Sequence, residues 1–108
     1  MAREKFQTLT EQMFYILLCL RHECCGTDIM NEVQTLTAGR VTVGPGTLYN
    51  LLESFLSAGM IRETKVEGRK RSYLITGAGR KALEDEVRRL HILTADYLRL
   101  TAEGGNEP

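Results

Sequence analysis

Gly44-Pro45-Gly46-Thr47-Leu48-Tyr49-Asn50-Leu51-Leu52-Glu53-Ser54-Phe55-Leu56-Ser57-Ala58-Gly59 is the stretch on which the fold turns. Proline lacks an N–H, and the first turn of a helix is where that N–H would find no partner. Pro45 therefore predicts a helix start, with Gly44 as an acceptable cap. Leu48, Leu51, Leu52, Phe55 and Leu56 then fall at the i, i+3, i+4, i+7, i+8 spacing of one helix face, and Gly59 stops the run. With that face turned inward, a rotation of about 100° per residue puts Gly46, Asn50, Glu53 and Ser57 outside, with Thr47, Tyr49 and Ser54 at the flanks. The outer face is slim and polar at its start, the shape that lets a helix end approach the edges of bases in a DNA major groove.

Towards the C-terminus, Met60–Val66 and Arg71–Ile75 have extended character and are joined by Glu67-Gly68-Arg69-Lys70, so they read as a two-stranded hairpin. Between Met60 and Tyr73 five cations (Arg62, Lys65, Arg69, Lys70, Arg71) face two anions (Glu63, Glu67), a local net charge of +3 in a chain whose formal net charge is zero. Overall charge gives no reason to expect nucleic acid, but this segregation does, because phosphates are held by clustered cations. Thr76 is the expected cap of a last helix carrying Leu83, Val87, Leu90, Leu93, Tyr97 and Leu100 at spacings of three and four. About 24 helical residues extend roughly 36 Å, more than a domain of this size can cover, so a second copy is the expected partner of that stripe. The end, Glu103-Gly104-Gly105-Asn106-Glu107-Pro108, has nothing to bury and is expected to be disordered.

Towards the N-terminus, a first helix is expected to start near Thr8 or Thr10, since Thr8 and Glu11 have capping-box spacing. Met13, Ile16, Leu17, Leu20 and Cys24 form its inner stripe, and Gly26 breaks it. Phe14, Tyr15 and Leu18 are apolar off that stripe, which implies a second buried surface. Thr27 then caps a second helix with Ile29, Met30, Val33 and Leu36 inside, closed by Gly39. The whole is a mainly α fold with a small β-hairpin, a winged helix-turn-helix followed by a long dimerisation helix. Its expected parts are a DNA-binding domain over 8–75, the long helix over 76–101 and a disordered tail over 102–108.

At 108 residues the chain has room for one domain plus an appendage. Its longest apolar run, Met13–Leu20, is too short to cross a bilayer and is not placed like a signal peptide, so no membrane association and a cytoplasmic location are expected. Three cysteines, two of them adjacent, do not make a disulfide framework. His22, Cys24 and Cys25 are soft donors close together, but three donors without a fourth read as core or surface thiols before they read as a metal site, so neither metal nor cofactor is expected. No nucleotide-binding loop, paired nucleophile and base, or carboxylate dyad points to an enzyme. Glu84-Asp85-Glu86 reads as the wet side of the last helix, and His91 as an exposed or interface residue of it.

Gly46 and Thr47 offer backbone N–H groups at a helix N-terminus, a natural phosphate site. Asn50 has the amide that pairs bidentately with adenine, and Tyr49 has the reach for a sugar, a phosphate or a thymine methyl. Ser54, Lys65, Arg69, Lys70 and Arg71 complete the candidate contacts with a double-stranded DNA operator. Phe14, Tyr15 and Leu18, with Leu90, Leu93 and Tyr97, form a candidate homodimer interface and, between the copies, a candidate seat for a small aromatic or hydrophobic effector. Plain packing is the alternative for these residues. A winged-helix protein-interaction module without DNA binding, and a thiol- or metal-responsive regulator using Cys24 and Cys25, remain open as other functions.

Gly46-Thr47-Leu48-Tyr49, Leu51-Leu52, Leu56, Gly59-Met60-Ile61, Glu67-Gly68-Arg69-Lys70-Arg71-Ser72-Tyr73 and Ile75-Thr76-Gly77-Ala78-Gly79 closely resemble the PadR family of transcriptional regulators over about residues 8 to 90. The length is similar to that of its short subfamily with a single C-terminal helix. The resemblance implies a dimeric winged-helix repressor whose wing touches DNA and whose C-terminal helix completes the dimer together with the first helix. It implies DNA contacts at Gly46, Thr47 and Tyr49 and wing contacts at Arg69, Lys70 and Arg71. Two features depart from the family pattern. Asn50 stands where proline is common, and the chain has no tryptophan, whereas several relatives hold aromatic drugs between tryptophans at the dimer centre.

Overall fold

The computed structural model describes residues 8–103. In chain order its elements are α1 (Glu11–Cys19), β1 (Cys24–Cys25), α2 (Gly26–Leu36), α3 (Pro45–Ser57), β2 (Ile61–Glu67), β3 (Lys70–Ile75) and α4 (Gly77–Glu103). The helices enclose one core on the inner face of a three-stranded antiparallel sheet ordered β1-β3-β2.

The decisive stretch folds as its sequence dictates. Gly44 is the N-cap of α3 and Pro45 opens the helix. Leu48, Leu52 and Phe55 are buried, while Leu51 and Leu56 pack at the edge. Gly59 has φ +74°, the left-handed conformation that glycine adopts without a Cβ penalty. It lets Gly59 N–H donate to Leu56 O (3.0 Å) and Met60 N–H to Phe55 O (2.9 Å), so that carbonyls of the last turn are satisfied as the chain turns into β2.

Earlier boundaries differ from expectation. Thr10, rather than Thr8, is the N-cap of α1, its hydroxyl accepting from Met13 N–H at 3.2 Å. Glu11 therefore makes no capping box and instead pairs with Arg40 at 2.8 Å. The helix stops at Cys19, not at Gly26, because Cys24 and Cys25 pair with Tyr73 and Ser72 as an edge strand. Gly26 opens α2 with Cys25 as its N-cap, displacing Thr27 from that role. At the other end of α2 it is Ala38 (φ +53°) that first turns left-handed, with Gly39 (φ +81°) after it. Leu36, expected inside, is 53% exposed because it lies in the last turn, beyond the reach of the core.

The hairpin is tighter than its sequence reading. β2 and β3 pair from Ile61↔Ile75 out to Glu67↔Lys70, leaving only Gly68 and Arg69 in the turn. A positive φ at Gly68 (+64°) and not at Arg69 fits a type II′ connection. Thr64 is an extra residue between the Glu63↔Tyr73 and Lys65↔Ser72 pairs. Such a bulge adds local twist and re-aims the outer hairpin.

Thr76 caps α4 by accepting from Gly79 N–H (3.2 Å), and its hydroxyl donates to Gly59 O (2.6 Å). Gly79 is a close-approach position, where a Cβ would collide with the carbonyl oxygen of Met60 and with the Ile75 side chain. Ala82 and Leu83 are buried against the core. Glu86 corrects the reading of Glu84-Asp85-Glu86 as a wet face, since it is 3% exposed. Its carboxylate accepts from Leu9 N–H (3.1 Å) and from Arg89 Nε (3.1 Å), which is how a buried anion is made tolerable. Those bonds, first from Arg89 and then from Leu9, hold its carboxyl below the usual range against the opposing effect of burial. Beyond Arg89 every residue of α4 from 90 to 102 is exposed. The helix continues through Ala102 and Glu103, two residues past its expected end, and the rest of the expected disordered tail lies outside the described residues.

Candidate nucleic-acid interface

α3 and the wing (β2, β3 and their turn) are set by the same core. Phe55 and Leu52 anchor α3 from below, and Tyr73 and Ile75 anchor β3. Between them lies an open cleft of about 760 Å³. Tyr49, Glu53 and Leu56 of α3 line one side, and Arg69, Lys70, Arg71 and Tyr73 of the wing line the other. Its inner end is closed by Cys25, Gly26, Thr27 and Asp28, where α2 begins.

Gly46, Thr47 and Asn50 are exposed on the outer side of α3, and Ser54 is half-buried at its flank. Tyr49 is 50% exposed and leans towards α2, its phenol lying over Gly26. On the wing Lys65, Arg69, Lys70 and Arg71 are all exposed. Arg69, Lys70 and Arg71 line the cleft, whereas Lys65 stands outside it. Arg71 pairs with Glu63 across the hairpin at 3.3 Å with the arginine side chain 60% exposed. An ion pair this wet is worth little, so the guanidinium is readily given over to an incoming phosphate. Tyr73 is buried, which raises its phenol above the ordinary value, with Glu63 adding to the shift.

Other predicted sites fall elsewhere. Phe14, Tyr15 and Leu18 are half-buried against the core on α1. The Tyr15 hydroxyl accepts from Arg40 (3.1 Å), which binds that side chain to the link between α2 and α3. Leu90, Leu93 and Tyr97 stand 44%, 50% and 66% exposed on α4, so within one chain they do not meet the α1 residues in a closed pocket. Burial pushes the Cys19 thiol up to about 12 and the Cys24 thiol to about 11. Thiols so raised are almost wholly protonated at neutral pH and are poor nucleophiles and ligands. Among the described residues no group of three His, Cys, Asp or Glu side chains gathers in a metal-holding arrangement.

The model of the transcriptional regulator PadR-like family matches residues 16–85, about two thirds of the chain, including α2, α3 and the whole wing. The chain belongs to this family of transcriptional regulators. No curated protein matches it in sequence. Among solved structures, a transcriptional regulator from Clostridium thermocellum is similar at TM-score 0.69 and 18% identity, over 82% of this chain and 90% of that one. A PadR-like transcription factor from Bacteroides fragilis gives TM-score 0.66 and 24% identity over 82% and 87%. Bacillus subtilis PadR in complex with operator DNA gives 0.62 and 24% over 69% of this chain and 45% of that one. At these identities the likeness is one of fold, mainly helical with a small antiparallel sheet in the winged-helix arrangement.

Gly26, Glu53 and Tyr73 border the cleft although no reading of the sequence assigned them to the site. In sequence Gly26 reads as a helix break, and its proximity to Tyr49 rests on how α2 crosses α3. Tyr73 stands in sequence only within the run that resembles the family and at the edge of the charged segment, with no contact expected of it. The periodicity of α3 put Glu53 outside, and that signal alone was there to find it. No described helix is long and apolar enough to cross a membrane.

Proposed function

We propose that this PadR-like regulator acts in the cytoplasm as a dimeric, sequence-specific repressor whose α3 enters the major groove while the wing holds the flanking backbone. The observation that carries this reading is the exposed Arg69-Lys70-Arg71 run of the wing, set across the cleft from a well-anchored α3 whose Gly46, Thr47 and Asn50 are exposed outside that cleft. Backbone N–H groups of Gly46 and Thr47 bind phosphate at the start of α3. Asn50 reads a base edge, while Tyr49 and Ser54 contact the backbone or a thymine methyl. Lys65, Arg69, Lys70 and Arg71 neutralise phosphates. The operator complex of Bacillus subtilis PadR, on a similar fold, supports the same partner here.

Two copies joined along the distal half of α4 place two reading helices about one DNA turn apart, roughly 34 Å, so the operator is an approximate palindrome. The exposed Leu90, Ile92, Leu93, Tyr97, Leu98 and Leu100 support a second copy as the cover, since so many large apolar side chains rarely stay in water on a monomer. A small aromatic or hydrophobic effector seated between Phe14, Tyr15 and Leu18 of one copy and Leu90, Leu93 and Tyr97 of the other releases DNA by favouring the arrangement with mis-spaced wings.

Fluorescence anisotropy with labelled duplexes, selected by the protein from a random pool and titrated at several salt concentrations, tests the proposal. Affinity should fall steeply with salt. Arg69→Ala should weaken all sequences alike and flatten the salt slope by about one, whereas Asn50→Ala should change which sequences are preferred. Absence of binding at low salt refutes the DNA reading, and an equal loss on every sequence for Asn50→Ala refutes base reading by that residue.

A further inference from the structure

Gly26 is buried in the first turn of α2, and Tyr49, 23 residues later, lies in the first half of α3. A Cβ at position 26 would overlap Tyr49 Oη outright and come within 2.9 Å of Cζ and 3.0 Å of Cε1. The phenol thus occupies the space a side chain would take, and no other residue type leaves that space empty. The ring, not the backbone, is what would yield. Tyr49 is 50% exposed and turns on two torsions, whereas α2 and α3 are fixed by Ile29, Val33, Leu48 and Leu52 in the core. Displaced, the ring swings away from α2 into the cleft beside the wing or out towards solvent.

We infer that Gly26 is a positioning residue for DNA recognition: its bare Cα holds the Tyr49 ring across the start of α2, with the hydroxyl at the inner end of the cleft and the outer face of α3 open. The inference rests on the DNA reading above and deepens it. A ring held in one rotamer before binding loses little entropy when DNA arrives. A ring pushed off Gly26 stands in the path of the duplex or of the wing cations. Gly26 itself needs no contact with DNA for this, and its influence passes wholly through Tyr49.

The test is a double-mutant cycle on a duplex selected by the wild-type chain from a random pool, read by anisotropy at low salt, where weakened variants still bind. Gly26→Ala should lower affinity about tenfold in the wild-type background and less than about twofold in the Tyr49→Leu background. Its thermal midpoint should stay within a few degrees of wild type, which separates positioning from loss of fold. An unchanged affinity for Gly26→Ala, or an equal loss in both backgrounds, overturns the inference. Should Gly26→Ala fail to fold, NMR of the wild-type protein decides the matter. The Gly26 Hα protons should carry a ring-current shift that Tyr49→Leu removes, and its absence overturns the inference too. A wild-type chain that selects no duplex refutes the DNA reading itself, and that result is distinct from a selected duplex bound equally by all variants.

Discussion

The two halves of α4 continue one face at spacings of three and four and meet opposite fates. From Gly79 to Glu86 the helix lies on the domain, with Gly79, Ala82, Leu83 and Glu86 buried and Leu9 tied to Glu86 by a hydrogen bond across 77 positions of sequence. From Leu90 to Leu100 the same stripe stands in water. One half completes a core and the other is an uncovered surface. Amphipathic spacing alone therefore says that a face will be covered and leaves open whether the same chain covers it.

The contrast breaks most severely at Gly79. Gly79→Ala drives a methyl group into Met60 O and to within 2.6 Å of Ile75 Cγ1, groups with no room to retreat. It should cost about 3 kcal/mol of stability in urea denaturation. Gly77→Ala, at the exposed start of the same helix where a Cβ would meet nothing within 4 Å, should leave the denaturation midpoint close to where it was. On the distal half, Leu93→Glu with Leu100→Glu should leave the far-ultraviolet circular dichroism of the domain unchanged. If two copies join along this face as proposed, those changes should shift the protein to a monomer in sedimentation and lower operator affinity about a hundredfold as the linkage of two half-sites disappears. A wild-type chain that sediments as a monomer would remove the comparison's second term.

At the junction of the halves Glu86→Gln keeps an acceptor for Leu9 N–H and loses the charge facing Arg89. The cost at pH 7 should be about 1 kcal/mol, at the low end for a charged bond because Arg89 is partly in water. The carboxyl is held below its ordinary 4.5, so its contribution is complete above that pH and is lost as pH falls through the lower folded value. Wild type and Glu86→Gln should therefore converge in acid and differ at neutral pH, as denaturation at the two pH values will show. The smallest change lies far from both halves. Ala38→Gly relieves a left-handed alanine at φ +53° and should raise stability by about 0.5 kcal/mol, after the added freedom of glycine in the unfolded chain is subtracted. Operator affinity should not follow, and a shift in affinity would mean that the link between α2 and α3 reaches the reading surface.

What the sequence determined by itself was whatever depends on neighbours a few residues apart. Pro45, the leucine spacing and Gly59 define α3 from start to stop, and the run Glu67 to Tyr73 defines the wing and its charge, so α3 and the basic hairpin beside it were legible at once. Thr76 likewise announced α4. The tertiary structure alone decided the features that join distant residues. Two-residue β1 exists only because β3 passes beside Cys24 and Cys25, and no periodicity can announce so short a strand. Glu86 is buried because Leu9 N–H and Arg89 arrive to satisfy it, although among its acidic neighbours it reads as solvent-facing. Gly26 looks like a helix break until α2 and α3 cross and the Tyr49 ring lands on it. The physical reason is common to all three. Local propensity is set by a residue's own backbone and its i+3 and i+4 neighbours, while burial, strand pairing and close approach are set by whichever part of the chain the core brings alongside.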